Sequence, residues 1–148
     1  MTIGHFILIY IDTSVWIAQH TPEIRTDAVN AWFDAAELDE MLCSDWVKTE
    51  YASGMGNKLR RGDISPGDFD EAHRKFALLC EAGPRWIEVG RNDFLQAAKL
   101  CGEPTSALRA GDALHLAVAL RAGCRSILSL DKVFNRNAAA HGLELIEL

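Results

Sequence analysis

The sequence predicts an α/β fold of three layers, α/β/α, with a central and mainly parallel sheet. A continuous apolar run at 6–11 has the length and the β-branched residues of a strand that is buried on both faces. Short apolar segments then alternate with longer segments whose apolar residues recur at helical spacing, as in proteins with parallel sheets. The length of 148 residues and the apolar share of 49% suit one domain over 1–148.

The first elements follow from N-cap chemistry and periodicity. Asp12 comes directly after the first strand and can cap a helix that begins beside it. Apolar residues at helical spacing predict a second helix over 26–38. A short apolar segment at 41–43 predicts the next strand.

A third helix begins at 44–45 and includes Glu50. Gly54 and Gly56 each disfavour a helix interior by about 1 kcal/mol. The sequence therefore leaves open whether this helix continues to Arg61 or breaks at Gly54.

The second half of the chain repeats the alternation of helix and strand. Ser65 and Pro66 form a helix start, and Gly123 a helix stop. The predicted helices cover 65–82, a segment from Asn92 or Asp93 to 102, 107–122 and 131–142, and the predicted strands cover 86–89, 126–130 and 143–148.

Composition excludes several classes of protein. With 15 Lys and Arg against 21 Asp and Glu, the net charge of −6 argues against a protein that coats nucleic acid through its charge. No apolar run approaches the roughly 20 residues that cross a bilayer. No Lys or Arg precedes the run at 6–11, so we expect no signal peptide and a cytoplasmic protein.

The four cysteines lie far apart in the sequence and form no CxxC or CxxH motif. This spacing argues against a zinc site and against a disulfide framework. We expect reduced, mostly buried thiols.

Two acidic residues follow predicted strands. Asp12 ends the first strand and Asp131 ends the strand at 126–130. Sites in open parallel sheets form outside the carboxyl ends of the strands, so the two carboxylates can share one crevice. Each is also a good helix N-cap, which alone would explain it.

Two further acids lie on predicted helices. Glu50 shares a helix face with apolar residues that point inward, although it could instead pair with Lys48 or Arg60 at the surface. Asp112 lies in a segment that is apolar nearly all round, where an unpaired charge is costly. Its alternative role is to cap a helix that begins at the next residue.

Together these four acids point to a metal site. Carboxylates that converge on one sheet edge repel one another unless a cation compensates them. Two Mg²⁺ ions would balance four carboxylates, and oxygen ligands suit Mg²⁺ or Mn²⁺ better than zinc.

Four segments, in order and spacing, resemble the PIN domain family, and most closely the VapC toxins of toxin–antitoxin pairs. The resemblance covers essentially the whole chain, and its third segment is the most specific. The segments are YIDTS at 10–14, KTEYA at 48–52, RAGDALHLA at 109–117 and LSLDKVF at 128–134.

The resemblance implies a metal-dependent endoribonuclease, a toxin that hydrolyses phosphodiester bonds in structured RNA, such as tRNA or rRNA, with a Mg²⁺- or Mn²⁺-activated water. It further implies a VapB-like antitoxin partner and a homodimer. Ser14 matches a position that supports the first acid, and Ser129 stands where the family often has Thr. The implied catalytic acids and metal ligands are Asp12, Glu50, Asp112 and Asp131.

Three basic residues are candidates for RNA binding: Lys58, Arg61 and Arg109. Lys58 and Arg61 belong to the densest basic cluster, which could equally be a solvated helix end. Arg109 lies three residues before Asp112 and would face the acids on a helix. His115 lies three residues after Asp112, but its apolar surroundings favour a core histidine bonded to the backbone over a metal ligand.

Two other functions remain in competition with the ribonuclease. An aspartyl-phosphate phosphatase also places an Asp after the first strand, but it needs a second acid where this chain has Ser14. A catalytically silent PIN-like module would bind RNA or protein without metal-dependent turnover, and the four intact acids count against it.

Overall fold

In a computed structural model, which describes residues 7–148, five parallel strands form one sheet in the order β3-β2-β1-β4-β5. The predicted parallel sheet is confirmed. Phe6, which was predicted to begin the first strand, lies outside the described residues. So do residues 1–5, on which the expectation about a signal peptide rests. The strands are β1 (Ile9–Ile11), β2 (Met41–Ser44), β3 (Arg85–Ile87), β4 (Ser126–Leu128) and β5 (Glu144–Leu145).

Helices pack on both faces of this sheet, which confirms the three predicted layers. Tyr10 and Ile11 point to opposite faces of β1, and each belongs to a different buried apolar cluster. The helices are α1 (Thr13–His20), α2 (Thr26–Ala35), α3 (Trp46–Arg61), α4 (Pro66–Ala82), α5 (Arg91–Gly102), α6 (Ala110–Arg121) and α7 (Lys132–Ala140). Helices α1–α4 contribute to the cluster of Ile11, and α5–α7 to that of Tyr10.

Helix α3 continues through its glycines to Arg61. A Cβ atom on Gly54 would lie 2.7 Å from Cδ1 of Ile17, so the glycine lets α1 and α3 pack closely. The helix ends where Gly62 adopts φ 76°, in the left-handed region. Close packing between two helices thus outweighs the low helix propensity of Gly54.

Several predicted boundaries are wrong by a few residues. The helix predicted from 107 begins at Ala110, because Ala107 has φ 55° and leaves the helical region. The strand predicted over 126–130 ends at Leu128, where the chain turns toward Asp131. Other strands are also shorter than predicted, and α2 ends at Ala35 before a 3₁₀ turn at Leu38–Glu40.

The cysteines are free thiols, as predicted, and two of them, Cys43 and Cys124, are buried. Cys80 and Cys101 are partly exposed. Among residues 7–148, the helices all fall short of the length and apolar character that crossing a membrane requires.

Candidate metal centre

Asp12 lies at the carboxyl end of β1 and is 5% exposed. Its amide donates to the carbonyl oxygen of Leu128, so the β1–β4 pairing fixes the backbone beside the carboxylate. Oδ1 accepts a hydrogen bond of 2.8 Å from the amide of Thr13, the first residue of α1. Oδ2 accepts hydrogen bonds of 2.8 Å each from Ser14 and Ser129. Ser14, which sequence analysis placed beside this acid, therefore contacts it, and so does Ser129.

Glu50 points inward from α3. Its Oε1 atom accepts a hydrogen bond of 2.7 Å from Thr13 and a second, short one from His115. The alternative that Glu50 pairs with a basic residue at the surface is wrong, since Lys48 bonds Asp45 and Arg60 bonds Asn57.

His115 is fully buried on α6 beneath the carboxylates. Its Nε2 bonds Glu50 and lies 3.5 Å from Oδ1 of Asp12, while Nδ1 bonds the Tyr10 hydroxyl at 2.5 Å. Sequence analysis placed this histidine correctly in the interior but expected a backbone partner, which is wrong. The available signal was that a buried imidazole needs polar partners, and Tyr10 is the polar member of the first strand.

Asp12, Glu50 and His115 form a compact group. One ligand atom from each residue lies within 4.8 Å of the other two. Carboxylate oxygens and an imidazole nitrogen are chemically suited to a divalent cation. Neither Asp112 nor Asp131 belongs to this group of three in the described part of the chain.

Asp112 lies in the first turn of α6 and is partly buried. The alternative that it caps a helix is wrong, because Arg109 occupies the N-cap position. Burial raises the pKa of Asp112 to about 6, helped by the negative charges of Asp12 and Asp131. Like charges close together disfavour the ionised form of a carboxyl group.

Asp131 caps α7, and its Oδ1 atom accepts a hydrogen bond of 2.8 Å from the amide of Phe134. The N-cap interpretation is therefore confirmed. Its own amide donates to the hydroxyl of Ser129 at 3.1 Å. Ser129 thereby links Asp131 to Asp12.

Glu50 and His115 shift one another's protonation. Burial raises the pKa of Glu50, but the hydrogen bond and charge of His115 and the Thr13 hydroxyl outweigh it, so the pKa lies below its usual value. Burial lowers the pKa of His115, yet the Glu50 hydrogen bond and the charges of the surrounding acids leave it raised.

The predicted basic residues lie at two separate places in the fold. Lys58 and Arg61 line a groove of about 360 Å³ that also contains Ser14 and Asp131. Lys58 forms an ion pair with Glu23 at 2.6 Å, and Arg61 one with Asp63 at 3.1 Å. Arg109 is exposed at the start of α6.

The fold resembles that of several solved structures. VapC20 of Mycobacterium tuberculosis, described as a toxin that cleaves the sarcin-ricin loop, matches with a TM-score of 0.72 at 20% identity, over 94% of this chain and 99% of that chain. FitAcB of Neisseria gonorrhoeae matches with a TM-score of 0.69 at 16% identity, over 95% of this chain and 97% of that chain. VapBC2 of Rickettsia felis, bound to a DNA fragment from the promoter, matches with a TM-score of 0.64 at 13% identity, over 94% of this chain and 97% of that chain.

No curated protein matches the sequence. The family model of the PIN domain matches residues 9–140, which include the acids at the ends of β1 and β4. This chain belongs to the PIN domain family.

Proposed function

We propose that this chain is a metal-dependent endoribonuclease and the toxin of a toxin–antitoxin pair. The observation that carries the proposal is the compact group of Asp12, Glu50 and His115 at one edge of the sheet. Asp112 lies near enough to Asp12 and Glu50 for their charges to add to the effect of burial in raising its pKa. Membership of the PIN domain family and the likeness to VapC20 support it.

The ligands proposed for Mg²⁺ or Mn²⁺ are Asp12, Glu50, Asp112 and Asp131. The donor set fits a hard divalent cation, because each of these side chains offers carboxylate oxygens. Such a cation, when bound, makes a water a strong nucleophile near neutral pH and stabilises charge on the oxygen that leaves phosphorus.

The chain's own residues orient the acids and the RNA. Ser14 and Ser129 hold Oδ2 of Asp12, so the carboxylate cannot rotate freely. Lys58, Arg61 and Arg109 are proposed to bind phosphates of the RNA, since contacts of this kind position a nucleic acid without reading its sequence. The groove that connects Lys58 and Arg61 with Asp131 supports this role for the first two.

The proposed partners are a VapB-like antitoxin and a second copy of this chain, in the cytoplasm. Several chains with the same fold come from toxin–antitoxin complexes, which supports an antitoxin partner.

The test is cleavage of total tRNA and rRNA by the purified chain with Mg²⁺, with Mn²⁺ or with EDTA. We expect discrete fragments that require metal and disappear in Asp12→Asn and Asp112→Asn. Asp34→Asn, which changes an exposed acid on α2, is the matched control and should cleave like the wild type.

The ends of the fragments test the reaction itself. Attack by water leaves a 5′-phosphate and a 3′-hydroxyl, whereas attack by the ribose 2′-hydroxyl leaves a 2′,3′-cyclic phosphate and would contradict the proposal. RNA binding without cleavage in either metal, by folded and antitoxin-free protein, would favour the silent module instead.

A further inference from the structure

A line of hydrogen bonds runs through the interior to the candidate metal centre. Ser44 on β2 bonds the Tyr10 hydroxyl at 2.9 Å, Tyr10 bonds Nδ1 of His115 at 2.5 Å, and Nε2 of His115 bonds Oε1 of Glu50. Ser44, Tyr10 and His115 are all fully buried. Three elements of the fold therefore supply a polar path that ends on one carboxylate oxygen.

The direction of these bonds is set by what each group can donate. The Tyr10 hydroxyl has one proton and two partners, Ser44 and Nδ1 of His115, so it donates to one and accepts from the other. Oε1 of Glu50 accepts from the Thr13 hydroxyl, and a carboxylate oxygen that faces Nε2 accepts there as well.

Two arrangements of protons are consistent with this series of hydrogen bonds. In a neutral imidazole, Tyr10 donates to Nδ1 and Ser44 donates to Tyr10. In an imidazolium, Nδ1 donates to Tyr10, which then donates to Ser44. Nε2 carries a proton in both arrangements, because its partner Glu50 has none to give.

We propose that His115 is a positioning residue, which holds Oε1 of Glu50 through an Nε2–H donor and is itself held by Tyr10 and Ser44, and that it is not a metal ligand. This inference rests on the proposed function, since Glu50 is positioned for the cation proposed there. Ligation through Nε2 would require the loss of that proton and of the bond to Glu50. Oε1 of Glu50 would then keep only Thr13 as a donor.

The other Glu50 oxygen is left for the cation. Oε2 lies 3.0 Å from the point that a Cβ atom on Gly111 would occupy, so α6 approaches it with backbone alone. With Oε1 fixed by Thr13 and His115, the carboxylate presents Oε2 in one orientation. Orientation of this kind by outer hydrogen bonds is a general feature of metal sites in proteins.

The decisive experiment is a long-range ¹H–¹⁵N correlation spectrum of the full chain with ¹⁵N-labelled histidine, recorded without metal and with saturating Mg²⁺. The His115 signals are assigned by their loss in His115→Gln. We expect a protonated Nε2 in both spectra. A bare Nε2 in the metal-free chain, or loss of its proton on addition of Mg²⁺, would overturn the proposal.

A pair of variants tests the donor role of His115 Nε2 separately. Mn²⁺ binding is measured through the electron paramagnetic resonance signal of free Mn²⁺. Gln can place its amide N–H near the position of Nε2, whereas Asn reaches only the position of Nδ1. We expect His115→Asn to weaken Mn²⁺ binding by about 10- to 100-fold, the range seen when an outer hydrogen bond is lost, and His115→Gln to keep most of the affinity.

His141→Asn makes the same change at an exposed histidine and should bind Mn²⁺ like the wild type. Equal losses in His115→Asn and His115→Gln, with both variants folded by circular dichroism, would overturn the proposal. If either variant fails to fold, the wild-type spectra still decide it. If the wild type binds no Mn²⁺, the proposed function fails, while the metal-free spectrum still distinguishes a donor from a bare nitrogen.

Discussion

Ser129 donates a hydrogen bond of 2.8 Å to Oδ2 of Asp12, and so joins the end of β4 to the end of β1. Its oxygen also accepts the amide of Asp131 at 3.1 Å. One hydroxyl therefore sets the orientation of a buried carboxylate and the path of the chain into α7.

Ser129→Ala removes this donor and leaves the amide of Asp131 without its acceptor. We expect Mn²⁺ affinity to fall by about tenfold, because outer hydrogen bonds to a ligating carboxylate are worth this much or more. Ser129→Thr keeps the hydroxyl and should bind almost as the wild type does. Isothermal titration of both variants measures the effect, and equal affinities would show that the hydroxyl does not matter.

The stability of the metal-free chain should fall as Asp112 ionises. Burial and the charges of Asp12 and Asp131 raise its pKa from 3.8 to about 6. Between about pH 4 and pH 6 the folded chain therefore holds more protons than the unfolded chain, and raising the pH through this window lowers the free energy of unfolding.

Urea unfolding in EDTA at several pH values tests this effect. Asp112→Asn cannot ionise and should be more stable than the wild type near pH 7, with a flatter pH dependence. Asp34→Asn is the control for removal of an acid. Parallel pH profiles of the wild type and Asp112→Asn would contradict the expected shift.

Gly111→Ala should weaken metal binding while leaving the stability of the fold nearly unchanged. The added Cβ would lie 3.0 Å from Oε2 of Glu50 and 3.4 Å from Nε1 of Trp46, so the carboxylate must shift. Alanine also favours a helix by about 1 kcal/mol over glycine. We expect weaker Mn²⁺ binding with little loss of thermal stability, measured by titration and by thermal unfolding. Unchanged Mn²⁺ affinity would mean that Oε2 is not used.

Two glycines at helix ends should respond in opposite directions to alanine. Gly62 has φ 76° with open space around it, so Gly62→Ala should cost about 1 kcal/mol through the backbone alone. Gly102 also has open space but no left-handed backbone, and Gly102→Ala should stabilise by about 0.4–1 kcal/mol. Denaturant unfolding measures both, and equal effects would contradict the backbone explanation.

Arg61 should contribute to RNA affinity through charge. Its side chain is 67% exposed in an ion pair with Asp63, and that of Arg74 on α4 is 68% exposed in a pair with Glu71. We expect Arg61→Ala to weaken RNA binding. The slope of log affinity against log salt concentration should fall in magnitude by about one unit, as it does when one phosphate contact is lost. Arg74→Ala, outside the groove, should have no effect. Equal salt slopes in the two variants would place Arg61 outside the RNA interface.

Much of the fold could be predicted because its signals are local. The apolar run at 6–11 predicts the central strand, and N-cap chemistry places Asp131 at the start of α7. The start of α6 could not be predicted, because an Ala- and Leu-rich segment has helix propensity throughout, and nothing in it marks the positive φ of Ala107.

The meeting of acids at one sheet edge could be predicted from strand ends, since parallel strands end on the same side. The role of His115 could not. Its partners, Tyr10 and Glu50, lie on other elements, and the contact depends on how α3 and α6 pack across β1. Hydrophobic patterns predict which faces are buried but not which polar atoms meet there.

Synthesis from the amino terminus makes β1 long before β4, its neighbour in the sheet. Until β4 and Ser129 have left the ribosome, Asp12 lacks the hydroxyl of Ser129, and β1 has one unpaired edge. A nascent or truncated chain without β4 therefore lacks both the neighbour of β1 in the sheet and the hydroxyl that orients Asp12.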